Sequence, residues 1–135
     1  MERQKKVIDA SVVVKIFAKE DNSKKAFEIV ESYANEKISI IVPDLIFMEV
    51  LNALRYKNIE SNRLKKVNTD LWNFQFEIAY LDEFLMRKAV EISVEYGFSI
   101  YDSIYAALAQ MHGAELITED SKLLKFPNSI SLNDI

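Results

Sequence analysis

Four carboxylates in this chain sit in apolar surroundings, where a surface charge is out of place. They are Asp9 in VIDASVVV, Glu49 in LIFMEVLNAL, Asp102 in SIYDSIYAALA and Asp120 in LITEDSKLL. Brought together they would be costly. At ~4 Å two like charges repel by ~1 kcal/mol in water and ~4 kcal/mol at an effective dielectric near 20. A cluster of acids therefore calls for protons or cations among them. Mg2+ and Mn2+ take oxygen ligands, keep several waters and are held by few carboxylates. Such an ion can lower the pKa of its water and clamp a phosphodiester for in-line attack. Metal-assisted hydrolysis is the chemistry these residue types allow.

Composition removes most competitors. The 135 residues contain no Cys, so disulfide scaffolds, zinc ribbons and thiol catalysis are excluded. His112 stands alone, which rules out paired-histidine acid–base chemistry and multi-histidine metal sites within one chain. Two Gly and two Pro leave no means of writing a P-loop or a dinucleotide fingerprint. Half the residues are apolar and 28% are charged, which suits one folded globular domain spanning 1–135. The net charge of −4 argues against nucleic-acid binding by bulk charge alone, though not against contact through bound metal. Setting the four acids aside leaves acids and bases equal, so the cluster could account for the net acidity.

No apolar run approaches the ~20 residues that span a bilayer. The charged start, Met1 to Lys6, precedes an apolar stretch, but Asp9 and Lys15 interrupt it and no small-residue cleavage site follows. A cytoplasmic protein without membrane association is expected.

Positioning the acids requires a scaffold, and the pattern alternates short β-branched runs with longer helical ones. Strands are expected at Val7-Ile8, at 38–42 ended by Pro43, at 77–81, at 115–118 and, as an edge, around Ile130 and Leu132. Helices are expected over 11–19, 23–36, from Pro43 or Asp44 through about Tyr56, over 61–74, over 82–96 closed by Gly97, and over 101–112 closed by Gly113, with a short turn over 121–124. Such alternation implies an α/β sandwich on a small, mostly parallel sheet. Ligands of such folds collect beyond the carboxyl ends of the strands, where Asp9 and Asp120 fall. Asp102 falls in the first turn of a helix, where the dipole favours an anion. On the helix over 44–56, Leu45, Glu49, Asn52 and Tyr56 share one stripe of an otherwise apolar surface. That helix is expected to be buried, with Glu49 and Asn52 finding polar company inside.

Each residue also has a plain structural role available. Asp9, Asp102 and Asp120 could cap the helices that follow them. Ser11 could bind a metal-bound water or cap its helix. Thr118 and Ser121 could orient Asp120 or the substrate, or serve a turn. Glu49 has no capping role and could instead pair with a buried Lys or Arg. Lys15 could meet a phosphate or stay solvated, and His112 at a helix C-terminus is explained by the dipole. Glu119 and Asp82 read as exposed acids, Asp44 as a first-turn acid, and the aromatic residues mostly as core. Arg55, Lys57, Arg63, Lys65 and Lys66 form a basic stretch around one helical hairpin, a solvated face or a guide for an RNA backbone.

In VIDASVVVKIF, PDLIFMEVLNAL, YDSIYAALAQ and LITEDSKLL, taken in order and spacing, the chain resembles the PIN-domain family, and specifically the VapC-type toxin ribonucleases. The resemblance implies a three-layer α/β/α sandwich and usually a homodimer. It implies that Asp9, Glu49, Asp102 and Asp120 surround one or two Mg2+ or Mn2+ ions, with hydroxyls matching at Ser11 and Thr118. It further implies endonucleolytic cleavage of RNA leaving a 5′-phosphate, within a type II, VapBC-like toxin–antitoxin pair whose small cognate antitoxin (VapB-like) inhibits the enzyme.

The expected function is thus a Mg2+- or Mn2+-dependent endoribonuclease. Asp9 and Asp102 serve as principal ligands, Glu49 and Asp120 complete the cluster, and Ser11, Asn52 and Thr118 support it. Two alternatives remain. A non-catalytic acidic module could capture a basic partner. A Mg2+-dependent phosphatase of the haloacid dehalogenase type would want a second Asp two residues after the first, where this chain has Ser11.

Overall fold

A computed structural model describes residues 3–135; Met1 and Glu2, the head of the charged N-terminal segment, lie outside it. The elements run β1 (Gln4–Ile8), α1 (Ala10–Ala18), α2 (Ser23–Ala34), β2 (Ile38–Pro43), α3 (Leu45–Tyr56), α4 (Ser61–Asn73), β3 (Glu77–Ala79), α5 (Glu83–Tyr96), α6 (Ile100–His112), β4 (Glu115–Ile117) and β5 (Ser129–Ile130). Short 3-10 turns occupy Leu123–Lys125 and Leu132–Asp134. The five strands form one sheet in the order β3-β2-β1-β4-β5, and every pairing is parallel.

The C-terminal parts of the central strands are apolar and covered on both faces. Val7 and Ile8 of β1, Ile40 to Val42 of β2, and Leu116 and Ile117 of β4 are all buried. In register, Val7 faces Ile41 on one side and Leu116 on the other, and Ile8 faces Ile117.

Strand order also fixes which helices lie on which face. The chain steps from β1 to β2 to β3 in one direction, then returns past β1 to β4. Right-handed crossovers put α1 to α4 on one face and α5 with α6 on the other. The packing agrees. α1 lies against α2 and α3, and α3 against α4, whereas α6 rests on β1, β2 and β4 beneath α5. From Ser103 to Ala109 every residue of α6 is buried, as a helix between two layers must be. Ala106, Ala107 and Ala109 let the neighbouring elements approach closely, and Leu108 fills the space beside them.

The helix ends follow local chemistry. Asp82 accepts from Leu85 N at 2.8 Å, and Ser99 accepts from Asp102 N at 3.0 Å. Gly97 and Gly113 close α5 and α6 with φ of 74° and 58°, conformations that a side chain would resist.

Several boundaries differ from the sequence expectation. β3 stops at Ala79, because this edge strand pairs only with β2 and the chain then turns Tyr80 and Leu81 out to solvent. Leu132 is not part of the edge strand; it is fully buried within a 3-10 turn. The turn expected over 121–124 forms at Leu123–Lys125. Trp72, expected in the apolar stripe of α4, is half exposed and stacks on Phe47 with ring centroids 4.0 Å apart. The larger correction concerns α3, which is not buried all round. Leu45, Ile46, Phe47, Val50 and Leu54 face the core, while Met48, Asn52 and Tyr56 are exposed. Its outer side forms one wall of a groove shared with α4, so the apolar residues there line an open surface.

Candidate active site

The reversal in strand order leaves a crevice between β1 and β4, whose connections depart in opposite directions. Open α/β sheets bind their ligands at such a point. Asp9 is the first residue past β1 and remains tied to the sheet, its N–H donating to Ile117 O at 3.3 Å. Its side chain is buried and caps α1 through Val12 N at 3.3 Å. Both carboxylate oxygens are held: Ser11 donates to Oδ1 and Thr118 to Oδ2, each at 2.5 Å. Ser11 therefore does not cap α1 itself; Asp9 does. Burial pushes the Asp9 carboxyl up to about 6, against the pull of these three donors, and the charge of Asp120 adds to the rise.

Thr118 and Ser11 extend the same web. Thr118 Oγ1 accepts from Asp120 N, and Ser11 Oγ accepts from Glu119 N, both at 3.0 Å. Thr118 thus orients Asp120 through its backbone while its proton goes to Asp9. Asp120 Oδ1 accepts from Lys122 N at 2.8 Å and Leu123 N at 3.4 Å, which is the capping role, and its negative charge still reaches both Asp9 and Asp102. Ser121 is exposed.

Asp102 lies half-buried in the first turn of α6. Burial raises its carboxyl above the usual range, Asp120 raises it further, and Ser99 and Lys122 oppose the shift. Glu49 is partly buried on α3 and is also raised by burial, with a contribution from Asp102. Its partner is neither Lys nor Arg. Tyr105, one turn beyond Asp102 on α6, donates its hydroxyl to Glu49 Oε1 at 2.6 Å. Tyr105 is the residue sequence reasoning missed. Its spacing of three from Asp102 was the available signal, hidden among residues that read as core.

Electrostatic influence links the four acids in a chain: Asp9 with Asp120, Asp120 with Asp102, and Asp102 with Glu49. They come from four segments and share one end of the sheet. Among the described residues no group of three His, Cys, Asp or Glu side chains is disposed to grip one ion. The donor set nonetheless suits Mg2+ or Mn2+, which bind through one or two carboxylates and fill the remaining positions with water. Acids whose charges raise neighbouring carboxyls, as at Asp9, Asp102 and Glu49, mark a region of negative potential where a cation is favoured.

Other residues take more local roles. Asn52 is exposed on the groove side of α3 rather than buried beside Glu49. Lys15 is mostly covered and pairs with Glu20 at 3.6 Å, so it is neither solvated nor free for phosphate. Lys57 also pairs with Glu20, Lys66 with Asp70, and Arg63 donates to Phe17 O, which leaves Arg55 and Lys65 on the groove. Glu119, expected to be exposed, accepts from Leu132 N at 2.7 Å.

Comparison with known proteins bears on the family and the fold. Residues 6–128 match the PIN domain, and the chain belongs to that family. Over 130 residues it is 30% identical to Ribonuclease VapC3 of Pyrobaculum aerophilum, covering 91% of this chain and 95% of that protein. Its fold is similar to the crystal structure of PAE2754 from Pyrobaculum aerophilum, with a TM-score of 0.72, 20% identity and coverage of 97% and 91% of the two chains. A toxin–antitoxin complex from Klebsiella pneumoniae aligns with a TM-score of 0.67, 20% identity and coverage of 93% and 96%. VapC20 of Mycobacterium tuberculosis, described as a toxin that cleaves the sarcin–ricin loop, aligns with a TM-score of 0.70, 14% identity and coverage of 91% and 97%. The expected family and its α/β fold are borne out. Family membership leaves the phosphatase alternative without support.

Proposed function

We propose that this protein is a divalent-metal-dependent endoribonuclease of the VapC type, with RNA as substrate and a small cognate antitoxin as inhibitor. The observation that carries the reading is the electrostatic chain among the acids, in which Asp120 raises Asp9 and Asp102, and Asp102 raises Glu49. The relationship to a ribonuclease and the similarity to toxin–antitoxin structures support it. Asp9 and Asp102 would hold Mg2+ or Mn2+, with Glu49 and Asp120 completing the set directly or through water.

A bound cation supplies an activated water and neutralises charge on the phosphoryl oxygens. The chain's own residues supply the rest. Ser11 and Thr118 fix both oxygens of Asp9 so that its carboxylate does not reorient as charge changes beside it. The Thr118 contact to Asp120 N keeps the loop after β4 against the same crevice. Tyr105 restrains Glu49, and the dipole of α6 steadies the charge of Asp102.

A cytoplasmic location and a homodimeric assembly belong to the same reading, as does one domain over residues 1–135. No helix of the described residues is long and apolar enough to cross a membrane.

The test is incubation of purified protein with mixed cellular RNA, with and without Mn2+, beside an Asp102→Asn control. Internal cuts that need both Mn2+ and Asp102 support the proposal. Mn2+ binding without any cleavage would leave an acidic module that captures a basic partner.

A further inference from the structure

The Glu49–Tyr105 pair has a chemical consequence beyond the list of acids. A partly buried glutamate could be steadied by Lys or Arg, but a cationic partner would cancel the charge it brings to the site. Here the partner is a neutral hydroxyl on a residue only 2% exposed, donating at 2.6 Å across 56 positions of sequence. Such a donor orients the carboxylate and leaves its negative charge available. The surroundings keep that hydroxyl protonated, since burial and the charges of Glu49, Asp9 and Asp102 hold the phenol well above its ordinary value.

Tyr105 is also anchored more firmly than its partner. It lies within the buried run of α6 on the sheet, whereas Glu49 projects from the groove side of α3 on a side chain with three rotatable bonds. A buried tyrosine needs some partner for its hydroxyl, and a backbone carbonyl or water would serve for stability alone. Choosing a carboxylate of the acidic cluster ties the buried core of the fold to the acid with the longest side chain of the four.

We propose that Tyr105 is a positioning residue, which holds the Glu49 carboxylate at the acidic cluster so that a divalent cation meets a fixed ligand. The inference rests on the metal-dependent nuclease reading. Partners that orient ligand side chains are typically worth about 10–100-fold in metal affinity or activity.

The test compares wild type, Tyr105→Phe, Glu49→Gln and the double variant. Free Mn2+ is followed by electron paramagnetic resonance without RNA, and kcat and KM are measured on RNA with Mn2+. Tyr105→Phe should fold, weaken Mn2+ binding and lower kcat by about 10–100-fold, and leave KM within about twofold. In the Glu49→Gln background the same change should cost less than about twofold, because the residue acts through Glu49. Full Mn2+ affinity in Tyr105→Phe overturns the inference, as does an equal loss in both backgrounds or a variant that no longer folds. Unchanged Mn2+ affinity in Glu49→Gln also overturns it, since nothing is then being positioned. Wild type that binds Mn2+ and cuts RNA while Tyr105→Phe matches it removes only this assignment. Wild type that does neither removes the nuclease reading and this inference with it.

Discussion

Thr118 donates its hydroxyl to Asp9 Oδ2 at 2.5 Å across 109 positions of sequence, joining the ends of adjacent parallel strands. Neither residue is more than 4% exposed. The bond gives a buried carboxylate a strong donor and locks β4 to β1 where their connections diverge. Thr118→Val preserves shape and removes the donor. It should cost about 1–3 kcal/mol of stability at pH 7, read by denaturant unfolding, and reduce RNA cleavage. A variant as stable and active as wild type would show that the contact is incidental.

Asp9 makes the metal-free protein sensitive to pH. Its carboxyl titrates at about 6 when folded, against an ordinary value of 3.8. Below 3.8 both folded and unfolded chains hold the proton, and burial carries no charge penalty. Between about 4 and 6 the unfolded chain releases its proton first, so this group's contribution to stability falls as pH rises. The accumulated loss above pH 6 is on the order of 3 kcal/mol. Asp9→Asn should therefore stabilise the metal-free protein at pH 7 but not at pH 4. Unfolding curves at both values check the sign, and a destabilised Asp9→Asn at pH 7 would contradict it.

Asp102→Asn keeps the shape of the side chain and removes its charge. Cleavage of RNA should be abolished while the circular dichroism spectrum stays that of the wild type. Full activity in this variant would remove Asp102 from the site.

Divalent cation should substitute for protons in relieving the repulsion among the acids. At a concentration 100 times the dissociation constant, Mn2+ should stabilise wild type by about 2.7 kcal/mol. Asp102→Asn should gain much less, and chelation should reverse the effect. Equal thermal shifts in both proteins would place the binding elsewhere.

Leu108 lies in the buried run of α6 and is 1% exposed. Leu108→Ala should cost about 2–5 kcal/mol, depending on how far the layers above and below can close. Chemical denaturation measures it directly. A cost below 1 kcal/mol would mean that α6 is not the filling between the sheet and α5.

The sequence by itself marked four acids as out of place and determined most of the elements that carry them. Asp9, Asp102 and Asp120 follow local rules, each at a strand end or in a first helical turn, so their neighbours in sequence nearly define their positions. The buried run from Ser103 to Ala109 was legible for the same reason, because the absence of charge along it marks a helix covered on all sides.

Tertiary structure decided which of these residues touch. Thr118 was expected to serve Asp120 and does so through Asp120 N, but it also gives its proton to Asp9, because β4 lies beside β1 in the sheet. Glu49 takes a tyrosine rather than a lysine, since α6 carries Tyr105 to it from the far side of the chain. Composition alone made α3 look enclosed, but whether an apolar helix face is covered depends on what packs against it, and α4 leaves a groove there. Local residues set the backbone of each element and the ends that cap it. Hydrogen bonds between distant segments depend on the order in which strands assemble, and that order is a property of the whole packed chain.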